Sequence, residues 1–455
     1  MSFICQCSSL LHRPTLRLSI LSALMATALL VGPEFSLAQT ATFHDIGSLS
    51  TQPPPGSLRK SSGALGVSWN GQIVVGLAEI DEAFHAFQWT RDDGISSLGA
   101  LPITDEELEF ALAADLSSDG SIIVGHSVND GGRVACVWRN GELVVLGDLP
   151  DANPQFGETH SQAEAVSADG AVIVGRGTDA NRFDRAFVWT EAKGMFELEN
   201  TKEAQDISAD GTVIVGDIDR GDVSEAFRWR VDTGVVGLGF LPEGDYSEGF
   251  GVSGDGTVVV GVGDSINNRT EAFRWTEADG MVGLGDLPGG SNFRSTALAA
   301  SASGVVIVGS SDAGDYDYPH PFIWTADMGM RNLATILIDE FGLTEVANWK
   351  FLGPATGISP DGRTIVGEGR LTDNDDHGWV ITLPESFVND PAAESLPTSS
   401  DFSVFEGFNT NSNENDNTST GNDNTNNGGG GLCGPSAASV SAMVLIGLVA
   451  LRRRM

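Results

Sequence analysis

Apolar runs of one kind recur along the chain, each placed directly after a polar turn. The clearest copies are Ser-Ala-Asp-Gly-Ala-Val-Ile-Val-Gly at 167–175, Ser-Ala-Asp-Gly-Thr-Val-Ile-Val-Gly at 208–216 and Ser-Gly-Asp-Gly-Thr-Val-Val-Val-Gly at 253–261. Asp-Gly between apolar stretches is a strong hairpin signal, because glycine tolerates positive φ and aspartate can bond its own turn. Each run is apolar at every position, which predicts a strand buried on both faces.

Two further segments complete the unit. Ala-Phe-x-Trp follows the apolar run at 86–89, 186–189, 226–229 and 272–275, and Leu-Gly-x-Leu-Pro closes the unit at 98–102, 146–150, 238–242 and 284–288. Phenylalanine and tryptophan alternate with other residues in the first segment, as in a strand, and proline ends the second. Together with the strand before the polar turn, each unit is predicted to contain four strands.

Seven tryptophans mark seven copies of this unit at intervals of 40 to 55 residues: Trp89, Trp138, Trp189, Trp229, Trp275, Trp324 and Trp379. Four short strands at this interval are typical of a propeller blade, so we predict an all-β, seven-bladed β-propeller. The seventh copy lacks its fourth strand, which stands alone at 44–49. Pairing that strand into the last blade would close the ring and remove two open sheet edges. An open solenoid would need capping repeats, and the sequence shows none.

The repeat resembles a known family. The Ala-Phe-x-Trp segment, which reads His85-Ala86-Phe87 in its first copy, and the Leu-Gly-x-Leu-Pro closure are similar to the extracellular HAF-repeat proteins of bacteria over about residues 43 to 385. The histidine occurs once, and Arg185, Glu225 and Glu271 replace it in other copies. The resemblance implies a secreted or surface-exposed repeat protein and no particular chemistry.

The N-terminal segment has the features of a secretory signal peptide. Arg13 and Arg17 precede an apolar run at 18–31, and a small-residue cleavage site ends at Ala38. We therefore predict a signal peptide over residues 1–38, a propeller over residues 39–385, and export to the cell surface or outer envelope.

The C-terminal segment changes composition twice. Residues 386–431 are rich in Asn, Ser, Thr and Gly and predict a disordered spacer. Residues 432–455 hold Cys433 and Gly434, an apolar stretch and three arginines. They resemble a C-terminal sorting signal of bacterial surface proteins, which implies processing at Cys433 and release or surface display. A permanent transmembrane anchor is the alternative.

The net charge of the chain limits the classes of binding partner that we expect. The chain carries 62 acidic and 25 basic residues, a net charge of −37. Such a charge repels phosphate backbones and anionic lipid, so we expect no nucleic-acid partner and membrane contact only through the C-terminal tail. We also expect a monomer. Cys136 is the one cysteine of the predicted propeller, and it replaces a repeated phenylalanine, so it is predicted to be a buried thiol and not a nucleophile.

Catalytic and metal sites are not indicated. The histidines occupy unlike positions in different repeats, without ligand spacing. The aspartates of the repeated turn, Asp119, Asp169, Asp210, Asp255 and Asp361, are explained by an Asx-turn role. Acidic loops at 217–222 and 373–376 are interpreted as solvated turns, with Ca²⁺ binding as the alternative. We predict no enzyme activity, no cofactor and no metal site.

Connections between blades are the predicted ligand-binding region. They vary from five to twenty residues, whereas the loop between the apolar run and Ala-Phe-x-Trp stays at nine to eleven. Variable loops on a rigid scaffold are where function is usually placed, although surface loops also tolerate insertions. The acidic candidates on these loops are Glu106, Glu107, Glu158, Asp245, Glu248, Asp339 and Glu345.

Three functions fit this sequence. The favoured hypothesis is a non-enzymatic binding or scaffold module for an extracellular glycan or surface protein. A polysaccharide hydrolase or lyase that uses carboxylates of the interblade loops is the second, because such chemistry needs two acids close together. A purely structural envelope component is the third.

Overall fold

A computed structural model describes residues 40–50, 60–81, 83–104, 109–150, 152, 160–221, 223–266, 269–289, 294–313 and 318–396. From Ala41 onward these residues belong to one compact unit. The predicted signal peptide with Ala38, most of the predicted spacer, and Cys433 and Gly434 lie outside the described residues.

The described chain forms seven antiparallel sheets of four strands, which confirms the seven-bladed β-propeller. Blades one to seven are numbered from the N-terminus. The innermost strands are β2 (Ser62–Val67), β6 (Ala111–Leu116), β10 (Ser161–Val166), β14 (Glu203–Ile207), β18 (Ser247–Val252), β22 (Ser295–Ala300) and β26 (Trp349–Ile358). The second strands are β3 (Ile73–Ile80), β7 (Ile122–Asn129), β11 (Val172–Thr178), β15 (Val213–Asp219), β19 (Val258–Ser265), β23 (Ile307–Ser311) and β27 (Thr364–Leu371).

The outer half of each blade completes the sheet. The third strands are β4 (Ala83–Thr90), β8 (Gly132–Arg139), β12 (Asp184–Thr190), β16 (Ser224–Arg230), β20 (Arg269–Thr276), β24 (His320–Thr325) and β28 (Asp376–Thr382). The outermost strands are β5 (Gly94–Gly99), β9 (Glu142–Gly147), β13 (Gly194–Glu197), β17 (Gly234–Gly237), β21 (Gly280–Gly283), β25 (Gly329–Asn332) and, for blade seven, β1 (Thr42–Gly47).

Strand β1 closes the ring as predicted. It pairs antiparallel with β28, so the N-terminal strand is the fourth strand of blade seven. Ser62 at the start of blade one then bonds to both of these strands: its hydroxyl donates to Gly47 O at 2.6 Å and accepts from Gly378 N at 3.1 Å. The same serine bridge joins other neighbouring blades, as at Ser247, which donates to Gly239 O and accepts from Ala226 N.

The strands of each blade alternate in direction, so the two ends of the propeller carry different loops. We call the end where the innermost strands begin the connection face, because the chain enters each new blade there. The opposite end, where the Ser-x-Asp-Gly hairpins lie, is the turn face. The longest connection joins blade six to blade seven and contains two short helices. They are helix α1 (Leu333–Asp339) and a 3₁₀ helix (Thr344–Asn348), which pack between these two blades.

The repeated turns have the predicted geometry. The turn aspartate accepts a hydrogen bond from the backbone N–H two residues later, as Asp119 does from Ser121 at 2.9 Å and Asp361 from Arg363 at 3.0 Å. The following glycine has a φ between +68° and +76° in all seven turns, a conformation that favours glycine. The Asx-turn role is therefore confirmed for these aspartates.

Backbone hydrogen bonds link neighbouring turns around the axis. In blades one to four and in blade six, the second residue of the turn donates to the turn of the next blade, as Ser118 N does to Ala168 O at 2.8 Å and Ala209 N to Gly254 O at 3.0 Å. In blade five the donor is Asp255 N, the third residue of the turn. The last link, Ala302 N to Pro360 O, brings the series to blade seven. Proline has no N–H, so Pro360 cannot donate onward to blade one.

The packed structure continues beyond residue 385, the predicted end of the propeller. After β28 the chain crosses the turn face as far as Leu396 and includes a 3₁₀ helix (Pro391–Ser395). We call residues 384–396 the strap. Ala393 and Leu396 are buried in it. In the part of the chain that the structure describes, no helix is long and apolar enough to cross a membrane.

Candidate functional site

The apolar second strand and the innermost strand of each blade meet at a repeated irregularity. In every innermost strand the pairing register shifts, as between Ala163 and Ala165 in blade three. The shift pushes one residue out of the ladder and brings a carbonyl oxygen towards the glycine of Val-Ile-Val-Gly. A Cβ added at Gly175 would lie 2.1 Å from Gln162 O, so only glycine fits there.

The residues expelled by these bulges form a ring around the axis. One from each blade lines a cavity of about 100 Å³: Leu65, Ala114, Glu164, Gln205, Phe250, Leu298 and Thr356. Four of the seven are apolar, so Glu164 is the one carboxylate among the side chains of this ring. The axial channel is therefore narrow and mainly apolar at the level of the bulges.

On the connection-face side of the ring, blades two to five carry charged residues at positions next to the bulge. Arg176 of β11 reaches Glu203 of β14, with Nε 3.3 Å from Oε1, and lies 3.9 Å from Asp184. Glu203 is 3% exposed. This ion pair joins blade three to blade four.

The next pair lies in blade four and is extended by a carboxyl of blade five. Lys202 Nζ is 3.1 Å from Asp217 Oδ2, which also accepts a hydrogen bond from the Ser224 hydroxyl at 2.9 Å. Glu248 of β18 interacts electrostatically with both Asp217 and Lys202 and is hydrogen-bonded to the Tyr246 hydroxyl. The charges thus run without a break from blade three into blade five.

Blade two contributes the other end of the network. Arg133 Nη1 donates to Gln162 Oε1 at 2.9 Å, while Gln162 Nε2 has no hydrogen-bond partner among the described residues. His126 is buried, stacks on Phe110 at 5.6 Å, and likewise finds no described partner for either ring nitrogen. We call these residues the mouth network: His126, Arg133, Gln162, Glu164, Arg176, Lys202, Glu203, Asp217 and Glu248.

Burial dominates the electrostatics of this network. It raises the pKa of Glu203 to about 8, with Arg176 opposing the shift and Glu164 adding to it. It also raises the pKa of Glu248 to about 7, helped by the nearby Asp217. Burial lowers the pKa of His126 well below its usual value, so that imidazole is neutral. The network therefore combines carboxyls of raised pKa with a neutral imidazole, one ammonium group and two guanidinium groups.

Two more buried carboxyls lie just beyond the bulges. Asp115 Oδ2 accepts from Val166 N of the next blade at 3.0 Å, and Asp206 Oδ2 accepts from Val252 N at 2.8 Å. Burial raises their pKa values to about 6 and about 7, respectively. Both carboxyls join neighbouring blades.

The opposite side of the channel, in blades six and seven, is built differently. Tyr318 and Phe351 stack at 4.1 Å between ring centroids, and the Arg370 guanidinium lies within 5.8 Å of both rings. Arg370 also pairs with Asp376 at 2.6 Å. Glu368 lies two residues before Arg370 in β27, and burial raises its pKa to about 7.

The structure disperses the acidic residues that the sequence analysis selected. Glu248 lies in the mouth network, and Asp245 directly precedes Tyr246, whose hydroxyl is hydrogen-bonded to Glu248. Asp339 and Glu345 lie instead on the connection between blades six and seven, where Glu345 interacts with His44 of β1. Glu106, Glu107 and Glu158 lie outside the described residues.

Most of the mouth network was missed because its residues lie inside strands. Arg176 and Asp217 directly follow the glycine of Val-Ile-Val-Gly, and Gln162 and Glu203 pair with them across the blade. Comparison of that position between repeats would have shown the signal: it is Leu77 in blade one but His126, Arg176 and Asp217 in the next three.

Metal and thiol chemistry have no site in the part of the chain that is described. No group of three potential metal ligands occurs there. In the two acidic loops, Asp217 is held by Lys202 and Ser224, and Asp376 by Arg370. Cys136 is buried, as predicted, and burial raises the pKa of its thiol to about 12.

The repeated tryptophans pack inside the blades. Trp138, Trp229 and Trp379 are at most 2% exposed, and Trp379 Nε1 donates to Glu368 O at 2.7 Å. These side chains form part of the blade core.

Comparison with known proteins adds similarity of fold only. No family model matches the chain, and no curated protein matches it. Similar solved structures include TolB from Acinetobacter baumannii, with 15% identity and a TM-score of 0.42, covering 57% of this chain and 63% of TolB. An oligogalacturonate lyase in complex with manganese has 15% identity and a TM-score of 0.47, covering 76% of this chain and 98% of the lyase. The oligogalacturonate lyase from Vibrio parahaemolyticus has 11% identity and a TM-score of 0.49, with coverage of 77% and 98%.

Proposed function

We propose that the protein is an exported, non-enzymatic binding module of the cell surface, and that its ligand occupies the mouth of the axial channel on the connection face. The asymmetry of the mouth network carries this proposal. Seven blades share one core, yet polar and charged residues gather at these channel positions in blades two to five, and blade seven adds Glu368 after its Val-Gly glycine.

The fold itself does not require those charges. At the position of Gln162, Glu203 and Glu248, the other blades carry Gly63, Leu112, Thr296 and Pro354. Burying polar groups costs free energy unless they are well bonded, and the mouth network leaves atoms of His126 and Gln162 without a described partner. Residues that are costly and unnecessary for folding are candidates for binding.

The chemistry of the mouth suits a polyhydroxylated ligand. Carboxyl, amide, imidazole and guanidinium groups occur side by side, so both donors and acceptors face the same region. Sugar hydroxyls need such mixed partners, whereas a net acidic surface disfavours anionic polymers. An envelope or extracellular glycan of neutral charge is therefore the proposed ligand class.

Export forms part of the same proposal. It is supported by the signal-peptide pattern of residues 1–38, by the sorting-signal pattern around Cys433, and by the HAF-like repeat that covers the propeller.

Binding is tested with residues borrowed from sister blades. The variant Gln162→Leu takes the residue of blade two, and Glu248→Thr takes that of blade six, so each fits a position where the fold already accepts it. We expect the double variant to bind a panel of neutral envelope glycans at least about tenfold more weakly, a loss of about 1.4 kcal/mol, by isothermal titration calorimetry. Its melting temperature should stay close to that of the wild type.

Asp339→Asn and Glu345→Gln provide the matched control, because they remove acidic residues far from the mouth. Loss of binding in the control with retention in the mouth variant would contradict the proposal, as would a wild-type protein that binds no glycan of the panel. Shortened or unsaturated sugar products after prolonged incubation would favour the hydrolase or lyase instead.

A further inference from the structure

The turn of blade six differs from the other six turns. Those turns read Ser-x-Asp-Gly, or Ser-x-Asn-Gly in blade one, whereas blade six has Ser303 at the third position. In each of the six, the first serine donates its hydroxyl proton to the Asp or Asn side chain at 2.6 to 2.9 Å. The same hydroxyl accepts the backbone N–H that starts the second strand, as Ser208 does from Val213 N. Blade six has no Asp or Asn side chain at this position to accept from the first serine.

Asp390 of the strap supplies the missing carboxylate. Its Oδ2 accepts from the Ser301 hydroxyl at 2.8 Å, the length found in the other turns, and from Ser303 N at 2.6 Å. Ser301 in turn accepts from Val306 N at 3.1 Å, as its counterparts do. Asp390 is 1% exposed, so this carboxylate is fully inserted into the turn.

The strap is also held on either side of this joint. Asp390 N donates to Asp361 O of blade seven at 2.9 Å. Beyond the joint, Ala393 and Leu396 pack with Ala302 of blade six, Trp69 of blade one and Ala209 of blade four. Blades one and four stand on opposite sides of the ring, so the strap lies across the axis.

We propose that the turn of blade six is a docking socket for an aspartate carried on a separate, extended segment, and that the strap is its resident occupant. The socket receives a carboxylate that its own blade lacks, and the apolar turn residues Trp69, Ala209 and Ala302 contact the alanine and leucine that follow. Docking covers the turn-face end of the axial channel, so the mouth network is reached from the connection face.

Ser303→Asp tests the socket in the full chain. It gives blade six the same Ser-x-Asp-Gly turn as its neighbours and places a second carboxylate where Asp390 binds. We expect the strap to be released, with hydrogen exchange of the amides of residues 388–396 at least about tenfold faster by mass spectrometry. The melting temperature should change little, because the turn then satisfies itself.

Asp390→Ala should release the strap equally but lower the melting temperature, because it leaves the Ser301 hydroxyl and Ser303 N–H without an acceptor. The combination Ser303→Asp with Asp390→Ala should restore the melting temperature while the strap stays released. Glu394→Gln, an exposed acidic residue of the same strap, is the control and should keep wild-type exchange. Unchanged exchange in Ser303→Asp and Asp390→Ala would overturn the socket.

Discussion

The glycine that ends each Val-Ile-Val-Gly run and the bulge opposite to it form one feature. The sequence pattern predicts a buried strand for the run but does not indicate why the run ends in glycine. In the structure, the glycine leaves room for the carbonyl of the bulged strand, and the bulge turns one residue of every blade towards the axis. A bulge depends on pairing between two strands, so neither strand alone could reveal the channel lining.

At the residue scale, Asp115 and Asp206 should make stability depend on pH. Their pKa values in the folded protein, about 6 and about 7, exceed the value of about 4 in an unfolded chain. Between these values the folded state binds protons that the unfolded state has released, so the free energy of unfolding should rise as the pH falls from about 7.5 to about 5. Urea unfolding at several pH values measures this slope.

Asp115→Asn with Asp206→Asn should flatten that slope. The amide oxygen still accepts the N–H of the next blade, but the side chain no longer titrates. Glu203, Glu248 and Glu368 also have raised pKa values and should leave a residual slope of the same sign. Asp339→Asn serves as the exposed control. A double variant with the wild-type slope would refute this account.

Elements whose pattern repeats were predictable, and elements that occur once were not. The strand pattern gave the seven blades, and the unmatched strand near the N-terminus gave the closure. The strap escaped prediction because it has no counterpart in the repeats. Its order comes from the inserted Asp390, from Phe387 and Val388 packed in the core of blades six and seven, and from Ala393 and Leu396 at the turns. Helix α1 escaped for a similar reason, since it has no counterpart in the other blades.

At the element scale, removal of β1 should open the ring. Deleting residues 39–50 leaves one edge of β28 unpaired and takes away the Gly47 carbonyl to which Ser62 donates. We expect aggregation or a large fall in melting temperature, because an open strand edge can pair with another chain. A deletion variant that stays monomeric and melts like the wild type would show that β1 does not close the ring.

A single substitution tests the same closure more gently. Ser62→Ala removes the bonds to both terminal strands and should cost about 1–2 kcal/mol of unfolding free energy in a urea titration. Ser96→Ala removes one bond on an exposed outermost strand and should have almost no effect.

At the scale of the whole molecule, repetition supplies the scaffold and departures from repetition supply the candidate function. The mouth network breaks the sevenfold pattern on one side of the channel, and the strap breaks it on the turn face. The net charge limits the expected ligand class, and it can be read from the sequence. The position of the proposed binding site depends on contacts between residues of different blades. These residues are far apart in the chain, so the sequence does not predict their contacts.

The C-terminal segment, residues 432–455, should determine the localisation of the protein. If Cys433 belongs to a sorting signal, Cys433→Ala should leave full-length protein in the membrane fraction, detected by immunoblotting of cell fractions. Ser436→Ala, a small change close by, should be processed like the wild type. Normal processing and surface display of Cys433→Ala would reject the sorting signal.

The position of the strap also decides how the propeller meets mechanical tension. Any pull on the chain beyond Leu396 reaches the body near its axis, through contacts with the turns of blades one, four, five, six and seven. These contacts must break before the force reaches β28, whereas a tether attached directly to β28 would pull on that strand at once. Because β1 flanks β28 and the strap crosses the ring, force is shared among blades before any sheet begins to unzip.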